Sequence, residues 1–437
     1  MTQKKPLVLN EEYRHVLDLL EKTGAGVFVT GRAGAGKSTL LQLFRQTTEK
    51  KIVVLAPTGV AALNVQGQTI HSFFKFPPRI ITPKEAETRV YNSYQKKLIK
   101  NLDVLVIDEI SMVRADMLDG IDRYLRVNRD RSKPFGGVQI ALFGDLFQLP
   151  PVVRNDPVER SYFSDYYDSP YFFAAHALRD PDLRFECVEL RKVYRQESRH
   201  FLRLLETVRN NSADADDLED LNECCRPLPA DTNGYITLCA RNATAEQINE
   251  RELLRLDSRD HFYMADVDGQ FDPGLFPTEA RLRLREGAQV MFIKNDTNEG
   301  EYVNGTIGKV IRLRDDEITV RIEESGKTRD IEVQHEEWKV VRYLINSQGE
   351  LGTETIGSFT QYPLKLAWAI TIHKSQGKTF DRVIIDLGAG AFEHGQLYVA
   401  LSRCRTLEGL ILTRPVRPKD LITDQRIVEF YRRMENF

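Results

Sequence analysis

The residues most able to do chemistry in this chain come in three short runs within its first 150 positions. Gly31-Arg32-Ala33-Gly34-Ala35-Gly36-Lys37-Ser38 fits the spacing G-x-x-x-x-G-K-[ST] and lies between an apolar strand and a helical pattern. Glycines in such a loop let backbone N–H groups wrap phosphate oxygens at a helix N-terminus, where the helix dipole adds to the attraction. Lys37 is placed to reach the β- and γ-phosphates, and the Ser38 hydroxyl to ligate Mg²⁺. The apolar run Val104–Ile107 ends in Asp108-Glu109. A buried strand that delivers an acid to its C-terminal edge sets Asp108 beside that Mg²⁺, and Glu109 can take a proton from an attacking water. Gln148 follows the next apolar run, where its neutral amide can touch both the γ-phosphate and the water. Two acids capping a strand are ordinary in isolation. Behind a phosphate loop in the same sheet they point to hydrolysis of a nucleoside triphosphate rather than its storage.

These groups need a parallel sheet behind them. Apolar strands at Val27–Thr30, Ile52–Ala56, Val104–Ile107 and Gln139–Phe143 alternate with helical periodicity, including a helix from Ser38, which is the pattern of βαβ units. Between the second and third strands, residues 76–100 carry Arg79, Lys84, Arg89, Lys96, Lys97 and Lys100 against Glu85 and Glu87. A second alternating block begins near Glu189, with a strand at Tyr235–Cys239 and a helix at Ala243–Leu256. It resumes at Leu364 with a helix into Gln376, a strand at Arg382–Leu387 and a helix through Gly395–Arg403. Tyr302–Leu351 instead shows short alternating strands, with turn signals at Asn304-Gly305, Asp315-Asp316 and Ser325-Gly326. The expected architecture is α/β, with two facing parallel-sheet domains at 1–183 and at 184–301 plus 352–437. A small basic insertion at about 76–100 interrupts the first and a β insertion at 302–351 the second.

Composition sets the limits. The 437 residues hold 61 Lys+Arg against 64 Asp+Glu, for a net charge of −3, with 41% hydrophobic and 29% charged residues. That balance excludes bulk disorder and supplies more than one core. No apolar run approaches the ~18 residues of a membrane span, and MTQKKPLVLNEEYR lacks the apolar region of a secretion signal. Five cysteines without a CxxC pair fit a reduced, cytoplasmic chain without a zinc site. Net charge does not announce a nucleic-acid partner, but a groove needs only local positive potential, and residues 76–100 supply it.

In chain order the sequence reads GRAGAGKST (31–39), APTGVAALNVQGQTIHSFF (56–74), VIDEISM (106–112), GDLFQLPPV (144–152), VYRQ (193–196), AITIHKSQGKTFD (369–381) and YVALSRCR (398–405). These runs resemble motifs I, Ia, II, III, IV, V and VI of superfamily-one helicases, subclass B, specifically the RecD-like Pif-one family. The segment Asp116–Gln139 resembles that family's signature region. The resemblance implies two RecA-like domains, an SH3-like character for 302–351, and ATP and Mg²⁺ as cofactors. It also implies 5′→3′ movement on single-stranded DNA, unwinding of tailed duplex, a monomer when free, nucleoid association in a bacterium, and work in repair, replication and genome maintenance, G-quadruplexes and RNA–DNA hybrids included.

By the same resemblance Arg195 and Arg403 reach across the cleft to the γ-phosphate. Asn10, Ala33, Gly34, Ala35, Gly36, Lys37, Ser38, Thr39 and Gly377 contact nucleotide. Pro57, Thr58, Gly59, Gln68, Thr69, His71 and Phe73 in the first domain, and His373, Lys374 and Ser375 in the second, contact DNA. Hydroxyls, amides and a few cations grip phosphates without reading sequence. Phe73, Phe74 and Phe76 offer stacking faces for unpaired bases, or else core packing.

One position departs from the family. Its N-terminal motif carries a glutamine for the adenine edge shortly after an Asn, whereas this chain has Tyr13 after Asn10. A phenol pairs fewer base-edge groups than an amide, so GTP and CTP are expected to serve alongside ATP; the alternative is that Asn10 reads the base and Tyr13 packs against the sheet. A DNA-stimulated translocase, a nucleotide-gated DNA-binding module without strand separation, and an RNA helicase remain open at this level.

Overall fold

The computed structural model describes residues 9–88, 93–153, 156–196, 198–229, 231–296, 299–324, 326–345 and 350–434. The N-terminal residues 1–8, Arg89 of the basic segment and Ser325 of an expected turn lie outside them.

The first sheet has six parallel strands in the order Gln68–Thr69, Ile52–Ala56, Val104–Ile107, Gln139–Phe143, Gly26–Gly31, Phe185–Leu190. Its inner strands are continuous runs of Val, Ile, Leu and Phe because helices cover both faces and no side is left for water. The last strand corrects the expected boundary at 183/184. Phe185–Leu190 pairs along its whole length with the phosphate-loop strand, so the first sheet is complete only at Leu190.

The second sheet is parallel in the order Ala369–Thr371, Ile236–Cys239, Val383–Asp386, Leu410–Leu412. The expected helix into Gln376 is absent. Leu364–Leu366 and Ala369–Thr371 are strands, followed by a single 3-10 turn at His373–Ser375. Pairing to Gln289–Phe292 and to Ile236–Cys239 holds this stretch extended against its local helical pattern.

The β-rich part also runs wider than 302–351. A five-stranded antiparallel sheet draws on Gln289–Phe292 and Leu364–Leu366 besides Ile307–Leu313, Ile318–Glu324 and Lys327–Val333. A three-stranded sheet joins Glu336–Ile345 and Leu351–Gln361 to Asp266–Gly269. Residues 302–351 are therefore not a self-contained piece.

The C-terminal helix Gln425–Met434 crosses back to the first sheet. Phe430 stacks on Phe173 with ring centroids 4.4 Å apart, and the Tyr431 hydroxyl bonds Thr30 Oγ1. The five cysteines are free thiols. Among the described residues no helix is long and apolar enough to cross a membrane.

Candidate nucleotide and DNA sites

The phosphate loop forms where the sequence places it, between Gly26–Gly31 and the helix Lys37–Thr47. Gly36 caps that helix at φ +90°, and a Cβ there would lie 2.0 Å from Tyr13 Oη. Gly34, at φ +82°, backs onto Arg195, whose Cβ would be 2.6 Å from an added methyl. Lys37 Nζ donates to Gly31 O at 2.7 Å and to Arg32 O at 3.2 Å, so the ammonium is folded into its own loop.

A cavity of about 680 Å³ opens over this loop. Gly34, Lys37, Ser38, Thr39, Glu109 and Gln148 line it from the first block, and Arg195, Gly377 and Arg403 from the second. Most of the expected nucleotide residues thus converge. Ala35 and Asp108 are not among the cavity's lining residues, and neither is Asn10. The Asn10 side-chain Oδ1 accepts Tyr13 N at 2.8 Å and caps the helix Glu11–Lys22, while its side-chain amide Nδ2 donates to Glu12. Tyr13 does line the cavity, but its hydroxyl donates to Gly36 O at 2.8 Å, and burial pushes its pKa up to about 12.

The electrostatics of the cavity are strained in both senses. Burial, with Arg195 adding repulsion, pulls Arg403 down to about 9, and burial pulls Arg195 down to about 10. Burial also lowers Lys37. Conversely, burial raises the Asp108 and Glu109 carboxyls, and the Asp108 charge pushes Glu109 further up. Glu109 sits at φ +51°, a region non-glycine residues rarely adopt and one that clusters at functional sites. These cations and carboxylates attract one another, but that attraction does not offset their loss of water. A polyanion carrying a divalent cation supplies counter-charge to both.

The arginines are anchored through the second block. Arg403 Nε donates to Val399 O at 3.0 Å and Nη2 to Ser402 Oγ at 2.7 Å, while Arg195 Nη1 donates to Ser402 O at 3.1 Å. Gln148 Nε2 donates to Asp145 Oδ2 at 3.1 Å.

Sequence reasoning missed several contributors. Tyr398 Oη accepts Ala33 N at 3.0 Å, and Gln196 Nε2 ties Ser402 O and Cys404 O at 3.1 and 3.0 Å. Both lie inside the ordered motifs, Gln196 in VYRQ and Tyr398 in YVALSRCR. Arg209 and Tyr431 lie in amphipathic helices, where nothing local separates them from surface residues.

A sequence model of the PIF1-like helicase family matches residues 8–219, and one of the UvrD-like helicase C-terminal domain matches residues 366–411. The ATP-dependent DNA helicase Pif1 of Bdellovibrio bacteriovorus is 32% identical, over 98% of this chain and 92% of its own length. The chain belongs to the PIF1-like helicase family. It spans less of the longer eukaryotic members, 64% of the one from Emericella nidulans at 30% identity. Among solved members, Pif1 from Bacteroides sp in complex with ADP-AlF4 is 40% identical over 98% of both chains, with a TM-score of 0.90. The unliganded Bacteroides protein, at 41% identity over 98% of this chain and 97% of its own, superposes at 0.88. The form bound to ssDNA, at the same identity and coverage, drops to 0.69. Sequence distance is constant across that drop, so the difference is one of arrangement. The two parallel-sheet blocks are the RecA-like cores of a PIF1-like helicase, arranged here as in the ADP-AlF4 complex and the unliganded Bacteroides protein.

That arrangement bears on the expected DNA residues. Pro57, Thr58, Gly59, Gln68, Thr69, His71 and Phe73 gather at one end of the first sheet, and the β-rich part lies against three of them, Gly59, Gln68 and Phe73. Leu275 Cδ2 would be 2.0 Å from a Cβ on Gly59, Tyr343 N donates to Gln68 Oε1 at 3.4 Å, and the Tyr343 ring is 6.1 Å from Phe73. The Thr58 and Thr69 hydroxyls cap short helices by accepting Ala61 N and Ser72 N. Phe74 and Phe76 are buried against each other and Tyr124, so they belong to the core and not to a stacking surface. On the second block His373 and Lys374 are exposed, His373 beside Glu393 at 3.3 Å. Ser375 is buried and donates to Ile372 O at 2.6 Å, so its hydroxyl supports the turn and is not offered outward.

Proposed function

We propose that this chain is an ATP-dependent DNA helicase that hydrolyses ATP with Mg²⁺, moves 5′→3′ along single-stranded DNA and opens duplex ahead of it. The observation that carries this reading is one cavity that the phosphate loop, Glu109 and Gln148 share with Arg195 and Arg403, in which both arginines are pulled down and the Glu109 carboxyl is pushed up. The donor set suits Mg²⁺, which takes a hydroxyl and one carboxylate and completes its shell with phosphate oxygens and water.

Ser38 and Asp108 would hold the Mg²⁺, which when bound neutralises charge on the phosphoryl group. Lys37 leaves the Gly31 and Arg32 carbonyls for phosphate oxygens. Glu109, its basicity raised toward the operating range, takes the proton of the attacking water, and the Gln148 amide orients that water. Arg195 and Arg403 bring planar donor forks from the opposite block, so full charge stabilisation requires the cleft to close, and hydrolysis becomes relative motion of two RecA-like cores. The β-rich part, read as an SH3-like module, leaves the first block's rail when DNA enters. A monomer when free, acting within the cell on forks and tailed duplexes in repair and replication, completes the proposal.

The test is unwinding of duplexes carrying a 5′ or a 3′ single-stranded tail, alongside ATPase rates with and without DNA. Unwinding from the 5′ tail with DNA-stimulated hydrolysis is expected. Brisk hydrolysis without strand separation from either tail would make the chain a translocase, and unwinding from the 3′ tail alone would reverse the polarity.

A further inference from the structure

The helix Arg199–Arg209 opens the second block, and its last residue, Arg209, is only 4% exposed. Its guanidinium lies 4.1 Å over the Phe147 ring and 5.3 Å from that of Tyr431. Nη2 is 3.7 Å from both Asp145 Oδ1 and Glu189 Oε1, and Nη1 is 3.8 Å from Glu206 Oε1. Nε and Nη2 make no hydrogen bond among the described residues. The charge is met by three carboxylates, yet Nε and Nη2 are left without a hydrogen bond, and buried donors left so are costly unless another state of the protein uses them.

Its surroundings say which state. Asp145 accepts Phe147 N at 3.2 Å on Oδ1 and the Gln148 amide at 3.1 Å on Oδ2, so this carboxylate holds the whole turn that ends in Gln148. The second block presses on the same turn. A Cβ on Gly395 would lie 2.2 and 2.6 Å from the carbonyl oxygens of Phe147 and Gln148, and His394 Nε2 meets Leu146 O at 2.8 Å. One turn before Arg209, Glu206 pairs with Arg32 of the phosphate loop at 2.7 Å. A single helix of the second block therefore touches the nucleotide site from behind at both its loop and its sensor. An approach of under an ångström would turn the 3.7 Å separation from Asp145 into a charge-assisted hydrogen bond, and the two aromatic faces keep that attraction from being screened by water.

We infer that Arg209 is a positioning residue for hydrolysis: it acts through Asp145 to set the Gln148 amide, and it does so from the second block. The inference rests on the proposed place of Gln148 at the γ-phosphate. Arg209 never touches the nucleotide. It makes the sensor respond to cleft closure by a route separate from the two arginines that reach in from the front.

The experiment is a double-mutant cycle on the full chain, reading kcat and KM for DNA-stimulated ATP hydrolysis. Arg209→Lys keeps the charge but loses the planar fork and the flat contact with Phe147. It should lower kcat about 10- to 100-fold, the scale of a misplaced reacting group, with KM within about threefold. On a Gln148→Ala background the same substitution should change kcat by less than about twofold, because residues acting as a unit do not add. Asp145→Asn, which keeps the shape of the acceptor, should show the same non-additivity and gives an answer if Arg209→Lys does not fold. Equal losses on both backgrounds, or wild-type kcat in Arg209→Lys or Asp145→Asn, overturn the relay alone. An unaffected Gln148→Ala parent overturns the place of Gln148 and the relay with it.

Discussion

Replacing Tyr343 by phenylalanine removes one oxygen from the joint between the β-rich part and the first sheet. The strand Ile52–Ala56 is paired on its outer side only from Leu55, where Gln68–Thr69 begins. Val54 N therefore faces an open edge, and it donates to Tyr343 Oη at 3.0 Å. In the Tyr343→Phe variant that amide stays buried without a partner in the docked form, while undocking exposes it to water. An orphaned buried donor costs about 1–3 kcal/mol. Only the docked form bears the cost, so the docking equilibrium shifts about 5- to 150-fold toward the open form. Gly59, Gln68 and Phe73, which the motifs lead one to expect at the DNA, lie under the docked part. If single-stranded DNA needs the open form, its apparent Kd tightens by up to that factor, saturating once the open form dominates. Fluorescence anisotropy with a labelled oligonucleotide measures this directly. An unchanged or weakened Kd would refute the claim that docking and DNA compete for one surface.

Glu109→Gln should keep ATP and DNA binding while hydrolysis falls ~10²–10⁴-fold, the usual worth of a general base; half of wild-type turnover would assign the water to another group. Tyr13 and Asn10 both spend their polar groups inside the protein. Steady-state rates with GTP and CTP should therefore lie within about tenfold of ATP, each missing base-edge bond being worth roughly 0.5–1.5 kcal/mol, and a wild type hundreds-fold selective for ATP would contradict this. Lys378, which donates to Asn304 Oδ1, is held down to about 8 by burial, with Lys365 adding to it. The unfolded chain then binds more protons on this group from about pH 8 up to the ordinary lysine range, so the group's contribution to stability rises with pH across that window. The stability of Lys378→Met relative to wild type should accordingly fall as melts are taken from about pH 8 to about pH 10, and a constant gap would remove Lys378 from the account.

What the sequence determined by itself was the chemistry that neighbouring residues carry together. A glycine loop between strand and helix, an acid at the end of an apolar strand and an amide at the tip of the next need only local geometry, and Lys37, Ser38, Glu109 and Gln148 stand where contiguous spacing puts them. The ordered motifs likewise carried Arg195 and Arg403 to the cavity, since a motif keeps its residues together wherever the fold takes them. Long-range pairing decided the rest. Phe185–Leu190 joined the first sheet because an open edge beside the phosphate-loop strand was there to take it. Leu364–Thr371 became two strands because partners far away in sequence held it extended. Phe74 and Phe76 look the same as Phe73 in a line of text, and only packing against each other, Tyr124 and the surrounding apolar cluster draws them into the core. Arg209 and Tyr431 have no local signature at all. Their meaning comes from the turn at Asp145–Gln148 and the strand ending at Gly31, against which helices from the other block are folded. Burial and charge pairing are sums over neighbours in space, and the order of residues along a chain specifies few of those neighbours.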